Sequence, residues 1–189
     1  MAVADYFLKV EGIDGESTDD KHKGEIDVLS WSWGETQSGT HHTGGGGGSG
    51  KVSMQDFHFV MKVNKASPKL MQACASGEHI KKGVLVCRKA GKDQQEYLKI
   101  TLSDMLVSSY QTGGSSGADI IPTDQISLNY AKIEFEYKEQ KQDGTLGGAV
   151  KGGWNVKENK LLQLLKMGKA AATGTRPQKM GEHRELQFP

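Results

Sequence analysis

Alternation of apolar and polar residues runs through most of the chain and predicts a mainly β protein. Runs rich in Val, Ile, Leu and aromatic residues are separated by clusters of Gly, Asp, Asn and Ser, which is typical of strands joined by turns. Many strands with little helix favour a β-barrel or a sandwich of two sheets. The predicted strands are 3–10, 24–33, 51–61, 83–89, 95–108, 125–138 and 150–157.

One short helix is predicted beside these strands. Ser67 suits the N-cap, Pro68 suits the first helical position, and Gly77 suits the residue just past the end. Between them, Leu70 and Cys74 are spaced to share one apolar face. The expected fold is therefore a barrel or sandwich of two sheets with one flanking helix.

The apolar phase changes inside several predicted strands. In 95–108, the alternating set of Leu98, Ile100 and Leu102 gives way to Met105 and Val107 on the opposite phase. Such a change indicates a bulge, or a strand that turns a corner between sheets. It is also expected where the second face of a strand is covered by another subunit. The sequence leaves these explanations open.

Composition and charge narrow the classes of function. Twenty-four basic side chains nearly balance 23 acidic ones, so the basic excess of a nucleic-acid-binding protein is missing. No apolar stretch is long enough to cross a bilayer, and the N-terminus lacks the basic and apolar regions of a Sec signal peptide. We expect no nucleic-acid partner, no membrane insertion and, if the protein is exported, export by another machine.

Two cysteines, Cys74 and Cys87, are too few to hold a chain of 189 residues together by disulfides. We therefore expect two buried thiols rather than a bridge. Cys74 could be imagined as a nucleophile with His79 as its base. A thiol on the apolar face of a helix is inert, however, so the sequence favours packing.

Two glycine-rich segments match catalytic or binding motifs by spacing alone. Residues 45–51 (GGGGSGK) fit a phosphate-binding loop, but Val52 stands where a hydroxyl must hold magnesium, and a strand follows instead of a helix. Residues 113–117 (GGSSG) fit the nucleophile elbow of α/β-hydrolases, which requires a strand, a turn and a helix in succession. Neither context is predicted here, and we expect loops at both places.

The histidines do not form a predicted metal site. His41 and His42 are adjacent, so their side chains diverge, and no Cys or carboxylate lies near them at ligand spacing. We predict no metal, no cofactor and no catalytic residue, and hence a protein that is not an enzyme.

Several short segments of residues 1–157 form a specific series, although each motif alone is weak. They are GES at 15–17, EIDVLSWSWG at 25–34, the Gly-rich 44–51, SPKLM at 67–71, LVSS at 106–109, the strand 126–137 and GGWN at 152–155. In their order and spacing these segments resemble the haemolysin-coregulated protein (Hcp) family of type VI secretion.

The resemblance implies a β-barrel of two sheets with a flanking helix, a homohexameric ring, and rings that stack into a tube. It further implies that a contractile sheath encloses the tube, that a spike protein caps it, and that a Gram-negative cell fires it outward. Members of the family hold small effectors in the lumen before export, and no enzymatic activity belongs to the basic domain. Such a protein is made in the cytoplasm and secreted without a Sec signal peptide.

Three other hypotheses remain. A phage tail-tube protein has a similar architecture but lacks the order of Hcp-like motifs. A monomeric secreted β-sandwich that binds carbohydrate or protein would show a patch of exposed aromatic residues. An enzyme would lose its activity on substitution of Cys74 or Ser115, and we expect no such activity.

Ser30 and Ser32 are the candidates for the lumen wall. They alternate with Trp31 and Trp33, so they lie on the opposite face if the tryptophans pack inward. The alternative is that they are ordinary solvent-facing serines.

The long loop 37–50 resembles the family's loop that reaches toward neighbouring subunits or the next ring, and long loops without secondary structure are often functional. The alternative is a mobile loop without a partner. The candidate contact residues are Thr40, His41, His42, Thr43, Gly44, Gly45 and Lys51.

The chain departs from the family pattern at its C-terminus. Family domains of this type end soon after the strand that contains Trp154, whereas this chain continues over 158–189. We divide it into an Hcp-like domain, 1–157, and an extension, 158–189. Residues 161–167 (LLQLLKM) predict a short helix of two turns, and the extension could serve as a cargo segment or as a contact arm.

Overall fold

The computed structural model describes residues 4–37, 52–89, 94–116 and 121–162. These residues form mostly strands, with one short helix, and confirm the predicted mainly β class. The predicted segment 51–61 divides into two strands with different partners. The elements are β1 (Ala4–Val10), β2 (Ile26–Ser32), β3 (Glu35–Thr36), β4 (Ser53–Met54), β5 (Phe57–Lys62), α1 (Ser67–Ser76), β6 (Ile80–Lys89), β7 (Glu96–Gly113), β8 (Thr123–Gln140), β9 (Leu146–Asn155) and β10 (Lys160–Leu161).

Six strands close into a barrel. Their order is β8-β5-β2-β1-β6-β7, and β7 pairs with β8 again to complete the ring of strands. Neighbouring strands are antiparallel throughout. Strands β9 and β10 add an outer sheet to β8, and β3 and β4 form a small separate ladder. A closed barrel leaves few free strand edges, which removes the sites where chains aggregate edge to edge.

Strand β8 belongs to both the barrel and the outer sheet. Its first half pairs with β5, including Phe57 opposite Leu128. Its second half pairs with β9, including Ile133 opposite Trp154. Along its whole length it also pairs with β7. The outer sheet is therefore a direct continuation of the barrel wall.

The phase changes predicted in the long strands are bends and bulges. In β7, Asp104 adopts a left-handed backbone conformation with φ of 51°. Here the alternation of buried and exposed side chains shifts by one residue, between Leu102 and Met105. Directly across the ladder, the consecutive residues Tyr130 and Ala131 are both buried. Aspartate tolerates this conformation better than most residues. A register shift between Val28 and Ser30 places a bulge between β2 and β5, and the apolar Leu29 at this bulge is 49% exposed.

Helix α1 packs against one side of the barrel core. Leu70 and Ala73 are buried, whereas Cys74 is half-buried at the edge of the core. Gly77 ends the helix in the left-handed region with φ of 67°, as the sequence predicts. The helix thus covers part of the barrel core beside β7.

The predicted N-cap of this helix is wrong. Ala66 precedes the first helical residue, and no side chain caps the helix end. Ser67 is itself helical and buried, and its hydroxyl donates to Asp124 Oδ2 at 2.5 Å. Asn64 accepts a hydrogen bond from the Ala66 amide at 2.8 Å and so shapes the turn before the helix. The serine therefore donates to one oxygen of a buried carboxylate instead of capping the helix.

The segment between β1 and β2 folds back onto the barrel. Gly15 lies so close to the next strand that an added Cβ would sit 2.3 Å from the carbonyl oxygen of Glu25. The Gly15 amide also donates to the Gly24 carbonyl at 2.8 Å. Because only glycine allows this approach of two backbones, the segment is fixed in one path.

A stack of three side chains joins this segment to the barrel. The buried guanidinium of Arg88 lies 4.8 Å from the centre of the Phe7 ring, and Phe7 stacks on His22 at 4.2 Å. Arg88 also donates to Asp5 at 3.0 Å and to Asp19 at 2.7 Å. A buried cation requires such partners, since an unpaired one costs several kcal/mol. The hydrogen bond from Arg88 lowers the pKa of Asp19 to about 2.

The predicted helix at 161–167 is wrong at its start. Lys160 and Leu161 form β10 and pair with Asn155 and Trp154 of β9. The described sheet therefore continues past residue 157, and residues 163–189 lie outside the described part of the chain.

The Arg88 contact predicts how stability depends on pH. Because the pKa of Asp19 is lower in the folded state, its contribution is fully present above about pH 5 and is lost as the pH falls toward 2. We expect the wild type to lose about 2 kcal/mol more than Asp19→Asn between about pH 5 and 2. Urea unfolding at several pH values measures the difference. Asp20→Asn, at an exposed neighbour, should behave like the wild type; equal losses in wild type and Asp19→Asn would contradict the assignment.

Candidate functional site

Four neighbouring strands present a continuous polar surface on the outside of the barrel. One row crosses the sheet at the same level, from Ser32 on β2 through His58 on β5 and Ser127 on β8 to Ser109 on β7. Directly opposed residues of antiparallel strands have their side chains on the same face. The four side chains therefore form one line across the wall.

A second row lies beside the first. It runs from Ser30 on β2 through Val60 on β5 and Gln125 on β8 to Gln111 on β7. The two rows border a shallow groove of about 340 Å³. We call these eight residues of the two rows the polar face.

The polar face carries hydroxyl, amide and imidazole groups but no carboxylate, ammonium or guanidinium group. His58 is its one titratable member, and Val60 its one apolar member. The His58 Nδ1 atom lies 2.7 Å from the Ser127 hydroxyl, a hydrogen bond between β5 and β8. The face can therefore hydrogen-bond a partner without a fixed charge.

Asp56 borders the polar face at one end. Its Oδ2 atom accepts from the Ser108 hydroxyl at 2.5 Å, and its Oδ1 atom accepts from the Asn129 amide at 2.8 Å. Both carboxylate oxygens are thus held by side chains of β7 and β8. This arrangement ties the start of β5 to the neighbouring wall and fixes the edge of the face.

Aromatic residues behind the face explain its orientation. Trp31 stacks on Phe57 with ring centres 6.0 Å apart and meets Tyr6 edge to face at 6.4 Å. Since Trp31 is turned toward the core, its neighbours Ser30 and Ser32 are exposed on the outside. The structure places both predicted serines on one wall; a role in a lumen stays a prediction.

The predicted loop contacts lie outside the described residues. The structure therefore brings none of them to a defined position. They are Thr40, His41, His42, Thr43, Gly44, Gly45 and Lys51.

A second unusual surface lies on the outer sheet. The apolar face of β8 continues beyond the barrel core, where Phe135 is 38% exposed, Tyr137 45% and Val150 of β9 70%. Leu161 of β10 is 72% exposed at the edge of the same sheet. We call these four residues the apolar stripe. It borders a groove of about 420 Å³ that Trp33, Met54 and Trp154 also line.

The catalytic alternatives do not assemble. His79 Nδ1 lies 3.1 Å from Asp104, and Lys157 donates to the same carboxylate, which lowers the pKa of Asp104. Cys74 packs at the core edge, and burial raises the pKa of Cys87 to about 12. The prediction of two buried thiols is correct for Cys87 and wrong for the half-buried Cys74.

The two glycine-rich motifs also lack their contexts. The segment after Gly113 leads into β8 of an antiparallel pair, so a nucleophile elbow is not formed. Residues 45–51 lie outside the described residues, and β4 rather than a helix follows them. Among residues 4–37, 52–89, 94–116 and 121–162, no three His, Cys, Asp or Glu side chains are grouped to hold a metal ion.

Sequence reasoning missed most of the polar face. The position of His58 between Phe57 and Phe59 gives the alternation of an outward residue, but no motif in the sequence singles it out. Nothing in the sequence shows that Ser127 lies opposite it or that Ser109 lies opposite Ser127 in the same row. That information is contained in the strand register, which sequence alone does not provide.

The closed barrel with its outer sheet and flanking helix is similar to the fold of solved type VI secretion proteins. A solved structure described as a type six secretion system protein matches with a TM-score of 0.81 and 32% identity, covering 85% of this chain and all of that one. The crystal structure of Hcp1 from Salmonella typhimurium matches with a TM-score of 0.72 and 42% identity, covering 86% of this chain and all of that one.

Sequence comparison gives the family. The model for the type VI secretion system effector Hcp matches residues 7–137. Protein hcp1 of Pseudomonas aeruginosa is 52% identical over 161 residues, covering 84% of this chain and 98% of that protein. The chain belongs to the Hcp family of type VI secretion.

Membership of the Hcp family supports the interpretation of this chain as a secreted tube protein of the type VI system. The family is not a known enzyme family. Within the described ranges, no helix combines the length and apolarity that a bilayer crossing needs.

Burial of Cys87 predicts an inert thiol. At about pH 8, a thiol whose pKa is near 12 should react with a disulfide reagent about a thousandfold more slowly than a free cysteine. A Cys74→Ala variant isolates this thiol, and absorbance of the released chromophore follows its reaction. The same variant in urea is the control and should react at once. Fast labelling of the folded variant would contradict the burial of Cys87.

Proposed function

We propose that this protein assembles with copies of itself into hexameric rings that stack into a tube, with the polar face lining the lumen and holding small effectors for export. The observation that carries the proposal is the polar face, which is exposed, spans four strands and has no fixed charge. A surface of this kind suits a partner that must be held and then released, because it offers hydrogen bonds without strong ion pairs.

The apolar stripe supports assembly. Phe135, Tyr137 and Val150 lie on the core side of β8 and β9, yet this chain leaves them 38–70% exposed. Clustered exposed apolar residues, unlike scattered ones, are typical of contacts between proteins. A second copy that covered the stripe would bury it, as expected for a ring.

Further partners follow from the family resemblance. We propose that a contractile sheath surrounds the tube and that a spike protein caps it. We further propose that the protein is made in the cytoplasm of a Gram-negative cell and leaves it through this machine without a Sec signal peptide. The loop contacts from Thr40 to Lys51 belong to the same proposal, as links between subunits or rings.

The exposed aromatic residues of the stripe also favour a second candidate function. Phe135 and Tyr137 could bind carbohydrate or protein directly in a monomeric β-sandwich module. The two candidates differ in mass, since this alternative requires a stable monomer at high concentration.

Assembly is tested by light scattering and negative-stain images of the purified full chain. We expect the mass of a hexamer and ring-shaped particles for the wild type. Val150→Lys places a charge in the apolar stripe and should shift the mass toward one chain while the folded spectrum is kept. Met71→Lys, at a half-exposed position on α1, is the matched control and should keep the rings. A wild-type monomer without rings would favour the binding module.

Cargo holding is tested at Ser32. Ser32→Tyr fills the groove beside His58 and should abolish co-purification of tagged effectors co-expressed with the full chain, one effector at a time. Ser76→Tyr, on the exposed end of α1, should keep the effectors bound. Light scattering confirms that both variants still assemble. Equal recovery of the effectors with both variants would contradict a role of the polar face.

A further inference from the structure

His58 is the residue through which the polar face can change its charge. The other seven members of the face are Ser, Gln and Val, which neither gain nor lose a proton in the physiological range. Histidine is the side chain whose charge ordinarily changes between about pH 5 and 8. A single protonation therefore converts an uncharged face into a cationic one.

The strands that flank β5 contribute no opposing charge to the polar face. Strand β2 places Ser32 opposite His58, and β8 places Ser127 there. Beyond β8, the face residues of β7 are a serine and a glutamine. On β5 itself, Asp56 lies two residues before His58 and Lys62 four residues after it.

Two charged groups lie on this side of β5, one beyond each end of the polar face. Both carboxylate oxygens of Asp56 already accept hydrogen bonds from β7 and β8, and Lys62 lies at the far end of the strand.

Protonation also reorients the hydrogen bond to Ser127. A neutral imidazole either accepts from the Ser127 hydroxyl at Nδ1 or donates to it. A protonated imidazole can only donate, so the serine oxygen must accept and its proton turns toward solvent. The face gains a positive charge and presents outward donors at both residues.

We propose that His58 makes binding by the polar face depend on pH, so that acidic protein segments are held more tightly at acidic than at neutral pH. This inference rests on the proposed function, in which the polar face contacts cargo. The occupant is identified by charge complementarity: a carboxylate-rich segment matches a cationic imidazole surrounded by hydroxyl and amide donors. In a ring, the same charge recurs once in every subunit around one lumen.

The test measures binding of a fluorescein-labelled peptide of alternating Glu and Gly to the full chain by fluorescence anisotropy, at low salt. We expect the wild-type Kd to be at least about threefold lower at about pH 5.5 than at about pH 7.5, as for an exposed ion pair. His58→Gln keeps a hydrogen-bonding group but cannot charge, so its Kd should not change with pH. His58→Lys is always charged and should bind tightly at both values.

His79→Gln is the matched control, because His79 lies outside the polar face beside Asp104. It should retain the wild-type pH dependence, and added salt should weaken the acid-state binding. Any one of three results would overturn the inference. These are a pH effect that persists in His58→Gln, a wild-type Kd that does not change with pH, and no peptide binding at either pH. The proposed function is judged separately, since loss of effectors in Ser32→Tyr at a fixed neutral pH does not depend on His58.

Discussion

The pairing of β7 with β8 is the constraint on which the rest of the structure depends. From Leu98 opposite Tyr137 to Gly113 opposite Thr123, this ladder closes the barrel at one end and supports the outer sheet at the other. At the bend at Asp104 the buried side chains of β7 change from one alternating set of positions to the other. The same pair of strands therefore contributes core residues on both sides of the bend. The polar face and the apolar stripe each include residues of β8, on opposite sides of that bend.

Sequence patterns predict the strands and the family because both depend on local order along the chain. Alternation locates each long strand, and Gly77 marks the helix end by its need for a left-handed conformation. The N-cap prediction fails because Ser67 has a distant partner, Asp124, that is not visible in local sequence. The predicted helix is wrong at its start, Leu161, because pairing with Trp154 overrides the local preference there.

The candidate site is only half visible in the sequence for the same reason. Alternation with Trp31 is local and predicts the outward direction of Ser30 and Ser32. The meeting of His58 with Ser127 depends on a register between residues 69 positions apart. Tertiary structure also determines where the charges lie. The buried cation Arg88 of β6 is neutralised by Asp5 of β1 and by Asp19 of the segment between β1 and β2, away from the polar face.

The construction of the polar face has a consequence for how such proteins diverge. Its rows occupy outward positions of β2, β5, β7 and β8, whereas the inward positions between them, such as Phe57 and Ile126, make the core. Substitutions at outward positions usually change stability by less than about 0.5 kcal/mol. Natural selection can therefore replace the chemistry of the face one residue at a time while the barrel and its register are inherited unchanged.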